Sequence, residues 1–431
     1  MTTERHLERD LPQILGDLAM GPYPDYIDDV LATTAQRRQR PVWTFPERWF
    51  PMDLVTTRVP TARFPMRALG VFALIALLIA AALAAYIGSR PARLPAPFGV
   101  AANGHVAYAD KGDIYTVDPV SGVTTAIVTG QETDVRPIWS LDGTRVAFER
   151  KVQGAHGLGR LYVAGEDGRG IVQVTTEPLS SLADWSFSPD GRSIVAFATG
   201  DNGTEIMVVA SDGTGQPMFF DVEAASDDGA PQYNPDGSEI MFIGRPPSSA
   251  TRGIYALDPA SGKVRTVIAA SATDIHSAAW SPDGTQIAYG TVDPSDRVTA
   301  RTRVVSADGT GDIAVDTNPD SMYDYGNVWS NDGTRLIISR HYQVDGSEVI
   351  RSAIVPVDRS NVGIEIDCST GAPSNDCSAD WIWSPDDTTL LGATSDASGQ
   401  PLQFLADPLT GEIRPTSWMS TGYSAWQRLA P

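Results

Sequence analysis

The sequence predicts an all-β fold, a β-propeller that occupies most of the chain. Three observations predict it. First, an aromatic residue, then Ser or Asn, one variable residue and Asp-Gly or Asp-Asp recurs six times. Second, the copies lie 46 to 54 residues apart, which is near the period of four-stranded propeller blades. Third, the 39 Gly and 31 Pro suit a β protein with many turns.

Each repeat carries the strands of one blade. An apolar strand ends at the aromatic residue, the Asp-Gly turn reverses the chain with Gly at positive φ, and three further strands follow, the last of them short. We expect the aromatic side chains to pack between blades and each Asp to hydrogen-bond its own turn. The copies start at Trp139, Phe187, Tyr233, Trp280, Trp329 and Trp383.

The two ends of the repeat region predict how many blades there are. Before Trp139, the segment from Asn103 supplies a turn-like Asn-Gly and three strands but no aromatic strand of its own. At the far end, Trp426 supplies an aromatic strand with nothing after it. Pairing of the Trp426 strand with the strand near Val106 would close the ring and remove its open edges. The sequence therefore predicts seven blades, with six as the alternative if one weak unit is not a full sheet.

Charge is distributed unevenly along the chain, which has a net charge of −21. Residues 1–93 contain eleven Arg, no Lys and nine acidic residues, so that 21 basic and 44 acidic residues remain for 94–431. Phosphate contacts need Lys and Arg, and the acidic body therefore argues against nucleic acid as a partner. The same acidity also suits simple solubility.

An uncharged apolar segment of 21 residues runs from Ala68 to Gly88. A helix of this length spans a bilayer core, and its distance from Met1 argues against a signal peptide. Arginines are more frequent before the segment than after it, which favours a cytoplasmic N-terminus. The sequence thus predicts a cytoplasmic tail (1–66), a transmembrane helix (67–90), a linker (91–98) and an extracytoplasmic propeller (99–431) at the cell membrane, with membrane lipid around the span.

The two cysteines, Cys368 and Cys377, lie nine positions apart in one loop. Outside the cytosol such a pair can form a disulfide, and two free thiols are the alternative. No second Cys/His pair is nearby, so we expect no metal site, and no motif in the chain indicates a cofactor.

Acidic residues recur shortly before the aromatic strands, with His276 beside one of them. Loops that enter the inner strands of a propeller surround one mouth of its channel, where these side chains could attract a cation or a basic peptide. The alternative is that Asp is common in loops for its own hydrogen bonds. The acids are Asp134, Asp184, Asp227, Asp228, Asp274, Asp324 and Asp380.

Residues 1–66 differ from the rest of the chain. Two short amphipathic helices are predicted, the first with Leu11 and Leu15 and the second with Val30 and Leu31 on the apolar face. An aromatic cluster with Trp43 and Trp49 follows. Two such helices bury little surface together, so their apolar faces favour a partner or a membrane surface. A partly ordered juxtamembrane linker is the alternative.

The repeats resemble the TolB-type, WD-like propeller family, in which an aromatic-Ser-Pro-Asp-Gly segment recurs in each blade. The resemblance covers residues 99–431 and implies the fold. Members bind proteins, cap peptidase domains or sit on membrane anchors. This chain lacks the hydrolase domain of the peptidase relatives and has no G-x-S-x-G segment. No His pairs recognisably with a nucleophile, and the prediction is that the chain is not an enzyme.

The tail resembles the cytoplasmic N-termini of bacterial membrane proteins associated with extracytoplasmic-function sigma factors. It has no Cys and only His6, unlike zinc-type anti-sigma factors, which puts metal-switched release in doubt. The matching residues are Pro24, Asp25, Val30, Leu31, Gln36, Arg37, Arg38, Trp43, Trp49, Pro51 and Met52.

These two resemblances lead to the functional prediction. We expect a membrane-anchored signalling protein with two kinds of partner. Its propeller would bind a ligand or an envelope protein, and its tail would bind a sigma factor as an anti-sigma segment. The alternative is a TolB-like envelope scaffold for protein interactions, whose tail is only an anchor. A propeller enzyme with a site at the mouth, including Asp274 and His276, is the less favoured alternative.

Overall fold

The computed structural model describes residues 98–430 except 155–157, 181–184, 201–202, 223–228, 248, 294, 367–379, 396–400, 419 and 421–422. The predicted tail, transmembrane helix and linker, and both cysteines, lie outside the described residues, and the predicted domain boundaries stay predictions. In the part of the chain that is described, no helix has the length and apolar character needed to cross a membrane.

The described residues form 29 β-strands. The strands of the first four blades are β1 (Ala102–Asp110), β2 (Asp113–Val117), β3 (Thr124–Val128), β4 (Asp134–Trp139), β5 (Arg145–Lys151), β6 (Leu158–Gly165), β7 (Val172–Gln173), β8 (Leu179–Ser180), β9 (Trp185–Phe187), β10 (Ser193–Gly200), β11 (Gly203–Ala210), β12 (Met218–Asp221), β13 (Gln232–Tyr233), β14 (Ile240–Gly244), β15 (Gly253–Asp258) and β16 (Lys263–Ile268).

The remaining strands follow the same order within each blade. They are β17 (Asp274–Trp280), β18 (Gln286–Asp293), β19 (Asp296–Ser306), β20 (Ile313–Ala314), β21 (Tyr323–Trp329), β22 (Arg335–Val344), β23 (Ser347–Pro356), β24 (Ile364–Glu365), β25 (Asp380–Trp383), β26 (Leu390–Ser395), β27 (Pro401–Ala406), β28 (Ile413–Pro415) and β29 (Ser424–Leu429).

These strands form seven antiparallel sheets, which confirms the prediction of a seven-bladed propeller. Blade 1 has the order β29-β1-β2-β3, and blades 2 to 7 begin at β4, β9, β13, β17, β21 and β25. The first strand of each sheet is the inner strand and carries the repeat's aromatic residue. Blade 2 has one further strand, β8, which pairs with β6.

Ring closure occurs where the two ends of the repeat region meet. Strand β29 pairs with β1 so that Trp426 faces Val106 and Ser424 faces Tyr108, as the sequence predicted. The Asn103–Gly104 pair was expected to act as an Asp-Gly turn, and this is wrong, because both residues lie within β1 beside a register shift. No turn is needed there, since β1 and β29 come from opposite ends of the domain and are not consecutive.

The hydrophobic core consists of seven separate clusters, and each lies between two neighbouring blades of the described structure. Phe187 of blade 3, for example, shares a cluster with Leu161 and Val163 of blade 2. Trp426 of blade 1 shares one with Leu391 and Leu405 of blade 7. The expected packing of the aromatic residues between blades is therefore confirmed, and the last cluster buries apolar surface across the closure.

The repeated turn is built from the Ser and the Asp of each motif. At Trp280, the next residue Ser281 is buried, donates its hydroxyl to Asp283 at 2.6 Å and accepts the backbone N–H of Gln286 at 2.9 Å. Asp283 accepts the backbone N–H and the hydroxyl of Thr285 at 3.0 and 2.8 Å. Gly284 has φ +71°, as predicted. Although partial burial opposes it, these hydrogen bonds lower the pKa of Asp283.

Candidate functional site: the central cavity

A cavity of about 560 Å³ lies at the centre of the ring. Its wall includes residues of six inner strands, together with Ala230 just before the inner strand of the remaining blade, β13. Because all seven blades contribute, the cavity follows the propeller axis. We name its two ends by the chain direction. The start mouth, where inner strands begin, has Arg136, Ala230 and Tyr423; the turn mouth has Leu141, Pro282, Asn331 and Pro385.

Tryptophans form much of the cavity wall, one from each of six blades, and four of their side chains are less than 8% exposed. Two of them donate their indole N–H to the neighbouring inner strand, Trp329 to the Ala279 carbonyl at 3.2 Å and Trp383 to the Val328 carbonyl at 3.4 Å. Their polar edges thus point between blades, which leaves an apolar wall. The six are Trp139, Trp185, Trp280, Trp329, Trp383 and Trp426.

Arg136 places a cation at the start mouth. It lies in a bulge of β4, between Val135 and Ile138, and has φ +57°, a region that side chains other than Gly seldom adopt. Its guanidinium carbon lies 4.4 Å from the centre of the Trp185 ring and 5.2 Å from that of Tyr423. This conformation turns the guanidinium towards the axis, where Tyr423 is 59% exposed.

Glu149 balances part of the positive charge at the start mouth. It is buried, its carboxylate lies 3.6 Å from the Arg136 guanidinium, and its other oxygen accepts Lys151 Nζ at 2.6 Å. One carboxylate thus faces two cations. Glu149 thus holds both Arg136 and Lys151 beside the start mouth.

At the turn mouth, two residues that depart from the repeat pattern are hydrogen-bonded to each other. Asn331 stands where most copies have Pro, and Asp387 stands where the others have Gly. Asp387 adopts φ +59° and accepts the backbone N–H groups of Asn331 and Asp332 at 2.7 and 2.8 Å. Arg428 donates to the Asn331 side-chain oxygen at 2.7 Å and to the Gly99 carbonyl.

The sequence-predicted acids do not form one ring. Counted back from the aromatic residue, Asp134 and Asp324 lie five positions before it, Asp274 six and Asp380 three. Asp380 is exposed. The predicted Asp184, Asp227 and Asp228 lie outside the described residues.

Three of these acids make contacts within or between blades. Asp134 binds Arg150 with two hydrogen bonds of 2.7 and 2.8 Å, and Asp274 binds Arg252 of the preceding blade at 3.1 and 2.5 Å. Asp324 accepts the backbone N–H of Thr302, also from the preceding blade, at 2.7 Å. These contacts satisfy the carboxylates inside the protein. A role for them in ligand binding stays a prediction.

Burial changes the ionisation of two predicted site residues. Burial, with the nearby charge of Asp316, raises the pKa of Asp324 to about 6, against the hydrogen bond from Thr302. Burial also lowers the pKa of His276, as does Arg252, while Asp274 opposes both. The surroundings therefore disfavour a charged His276.

A group of aromatic residues beside His276 was missed by the sequence analysis. Tyr325 lies 6.2 Å from the His276 ring and 5.0 Å from the His341 ring, centre to centre. His341 stacks on Tyr323 at 4.1 Å, and both contact the carboxylate of Glu348. Hydrogen bonds from Tyr323 and His341 lower the pKa of Glu348. No sequence signal connects these strands, because the contacts depend on side-chain direction in blades 5 and 6.

The remaining predicted site residues cannot be placed. The tail residues Leu11, Leu15, Val30, Leu31, Trp43 and Trp49, and the cysteines Cys368 and Cys377, lie outside the described residues. Within the described ranges, no group of three or more His, Cys, Asp or Glu side chains could hold a metal ion. The residues that the sequence analysis missed at the cavity are Arg136, Asn331, Asp387 and Arg428, and the available signal was that Asn331 and Asp387 break the repeat.

Comparison with known proteins agrees with this architecture. Residues 99–282 match the family model of the TolB beta propeller domain. This part of the propeller is therefore similar to the TolB beta propeller domain. No curated protein matches the chain.

Solved structures share the propeller fold at low identity. TolB from Acinetobacter baumannii is 17% identical over 77% of this chain and 81% of that chain, with a TM-score of 0.45. Oligogalacturonate lyase from Vibrio parahaemolyticus is 16% identical over 73% and 86%, with a TM-score of 0.52. A prolyl endopeptidase is 13% identical over 78% and 51%, with a TM-score of 0.53. At these identities the likeness shows the fold alone.

The comparisons also correct the prediction that the chain is not an enzyme. That prediction relied on the missing hydrolase domain and the missing G-x-S-x-G segment. Oligogalacturonate lyases and prolyl endopeptidases are enzymes whose structures contain the same propeller fold. A propeller fold is therefore no ground for excluding catalysis, because chemistry depends on side chains placed on a fold and not on the fold itself.

Proposed function

We propose that the chain is a membrane-anchored binding protein, with its propeller outside the cytoplasm and its N-terminal tail inside. The propeller binds a protein partner or ligand through the start mouth of the central cavity. Residues 1–66 bind a sigma factor and restrain it. The observation that carries the binding role is the cavity itself, with its apolar tryptophan wall and the Arg136 cation at one end.

The cavity has the size and lining of a binding site. Ligand pockets usually measure roughly 300–1,000 Å³ and combine an apolar wall with a few polar groups, and this cavity of about 560 Å³ fits that description. The similarity of residues 99–282 to the TolB beta propeller domain supports a protein as the partner. An apolar side chain or segment that carries an acidic group would fill the cavity and reach Arg136 at the start mouth.

The conformation of Arg136 also supports a binding role. Positive φ at a residue other than Gly costs of the order of 1–3 kcal/mol and concentrates at functional sites. Here it aims the guanidinium at the axis between Trp185 and Tyr423. A Gly would meet the backbone requirement of the bulge without this cost, whereas Arg places a cation at the start mouth that is held by Glu149 and Trp185.

Binding at the start mouth is tested by Arg136→Gly. The full chain and the variant are used to capture partners from envelope extracts of the host, with cross-linking and quantitative mass spectrometry. Asp345→Gly is the matched control, because Asp345 also has positive φ, +50°, but lies in the β22–β23 hairpin. We expect partner recovery to fall about tenfold with Arg136→Gly, as for loss of a charged hydrogen bond. Equal recovery from all three proteins would refute the proposal.

The sigma-factor role is tested by comparing the full chain with a chain that lacks residues 1–66. Each is purified from host cells, and its co-purifying sigma factors are measured. The proposal expects a one-to-one complex only with the full chain. If neither protein retains a sigma factor while both retain the envelope partner, the chain is the scaffold alternative, in which the tail is only an anchor.

A further inference from the structure

The segment that leads into the first blade forms part of the cavity wall. Phe98 and Gly99 line the cavity together with Asn331 and Arg428. They follow residues 1–97 in the chain and are separated from β1 by Val100 and Ala101. A group that fills the cavity therefore contacts Phe98 and Gly99, which lead into the propeller, as well as the inner strands.

A chain of hydrogen bonds fixes this segment to the turn mouth. The Arg428 guanidinium donates to the Gly99 carbonyl and, at 2.7 Å, to the Asn331 side chain. Asn331 in turn donates its side-chain amide to Asp387 at 2.8 Å. Arg428 is 8% exposed, and hydrogen bonds of buried charged groups are stronger than those of exposed ones.

The hydrogen bonds connect three blades. Arg428 belongs to blade 1, Asn331 follows the inner strand of blade 6, and Asp387 lies in the first turn of blade 7. Next to them, the backbone N–H of Ala101 donates to the Pro385 carbonyl at 2.8 Å. If one of these inner strands moved, at least two hydrogen bonds would transmit its displacement to the segment before β1.

One residue of this hydrogen-bond network, Asp387, differs from the residue that the repeat has at the same position. The other five copies have Gly at the position of Asp387, and Asp at φ +59° is strained relative to Gly. The carboxylate repays this strain by holding the backbone of both Asn331 and Asp332. A turn that only had to reverse the chain would not need Asp there.

We propose that Phe98 and Gly99, held by Arg428, Asn331 and Asp387, form a latch that couples filling of the central cavity to the chain connection before the propeller. This inference rests on the proposed function, because it gives the binding cavity a route to the N-terminal part. A group that enters from the start mouth and reaches the far end of the cavity contacts the latch. This contact changes the latch, and the change in the latch alters the chain connection before the propeller.

The first test asks whether this hydrogen-bond network keeps the latch in place, and it uses the full chain without any ligand. Amide hydrogen exchange of the peptide that covers residues 98–103 is measured for the natural chain, for Asp387→Gly and for the control Asp345→Gly. Asp387→Gly restores the repeat residue and relieves a strained backbone, so we expect the variant to fold. Exchange should become about tenfold faster only in Asp387→Gly. Equal exchange in all three proteins would show that no latch exists.

The coupling is tested with a probe fixed inside the cavity. Cys368 and Cys377 are first replaced by Ser, and a single Cys is introduced at Leu141, in the cavity wall at the turn mouth, or at Val120, which is 94% exposed. Each protein is labelled with monobromobimane, a compact apolar group. Labelling at 141 should change the exchange of 98–103 at least about threefold, and labelling at 120 should not. An unchanged rate after cavity labelling would refute the coupling.

The two proposals can fail separately. Loss of the exchange effects with an intact Arg136-dependent partner would leave a binding propeller without a latch. Exchange effects without any partner would leave the latch and remove the proposed function.

Discussion

Single residues in the repeated strands and turns differ in what their side chains do. Ser281 and Asp283 follow the repeat and build a turn, whereas Arg136 and Asp387 have strained backbone. Arg136 lines the cavity, and Asp387 bonds Asn331, which lines it. Asp324 is a third case, since its carboxylate is buried against the preceding blade and its pKa is raised to about 6. Its ionisation is therefore expected to affect stability at physiological pH.

Replacing Asp324 with Asn should stabilise the protein at pH 7 to 8. The folded pKa of about 6 exceeds the ordinary value of 3.8, so the folded state binds more protons than the unfolded state between these values. Stability then falls as pH rises through this window. Asn keeps an acceptor for Thr302 and avoids the cost, which we expect to be about 1–3 kcal/mol at pH 7.

The measurement is urea unfolding of the natural chain and Asp324→Asn at pH 4, 5, 6 and 8. The difference in the free energy of unfolding should be small at pH 4 and reach its plateau above pH 6. A difference that does not depend on pH would show that ionisation of Asp324 is not the cause.

The inner strand with its turn is the element on which the fold depends. In each motif turn the Ser, or Asn234 in blade 4, accepts a backbone N–H that the turn would otherwise bury, and the Asp accepts the N–H of the residue just before it. A buried donor without its acceptor costs about 1–3 kcal/mol. The repeat is therefore conserved along this chain for hydrogen bonding as much as for apolar packing.

Ser281→Ala should lower the free energy of unfolding by about 1–3 kcal/mol, because the Gln286 N–H loses its acceptor inside the protein. Ser261→Ala is the matched control: Ser261 also bonds an Asp, Asp258, at 2.6 Å, but on the exposed surface, where water can replace it. Urea unfolding midpoints of both variants provide the measurement. An equal loss in both would contradict the role of burial.

The sequence predicted this element better than it predicted the cavity. The repeat predicted the positions of the turns and the interblade packing of residues such as Phe187, because both depend on local pattern and apolar burial. The direction of Arg136 depends on a bulge in β4, and the link between Arg428 and Asn331 joins residues 97 positions apart. No local pattern determines such contacts. The departures from the repeat at Asn331 and Asp387 nevertheless indicated residues that form hydrogen bonds at the turn mouth.

At the largest scale, the described residues form a closed ring with a core divided into seven interblade clusters. Each blade is stabilised mainly by its two neighbours, and the ring has no terminal blade while β29 remains paired with β1. Without β29, the inner edge of β1 would expose its backbone groups, and Trp426 would leave the cluster shared with Leu391 and Leu405.

A chain that ends at Tyr423 should therefore lose its defined tertiary structure at blades 7 and 1. We expect faster proteolysis and faster amide exchange in β1, β2 and β27 than in β10 and β11 on the far side of the ring. Adding a peptide of residues 424–431 should restore protection by pairing with β1. Uniform protection of the shortened chain would show that the clasp does not stabilise the ring.

The pairing of Val106 with Trp426 also sets an order of events during synthesis. These partners are separated by 320 positions, so the first sheet lacks its inner strand until nearly the entire chain has been made. Contacts between distant residues form slowly because a long loop must close first. At roughly 5–20 residues per second, the unpaired edge of β1 has to be protected for many seconds. The last strand to be translated completes the first sheet.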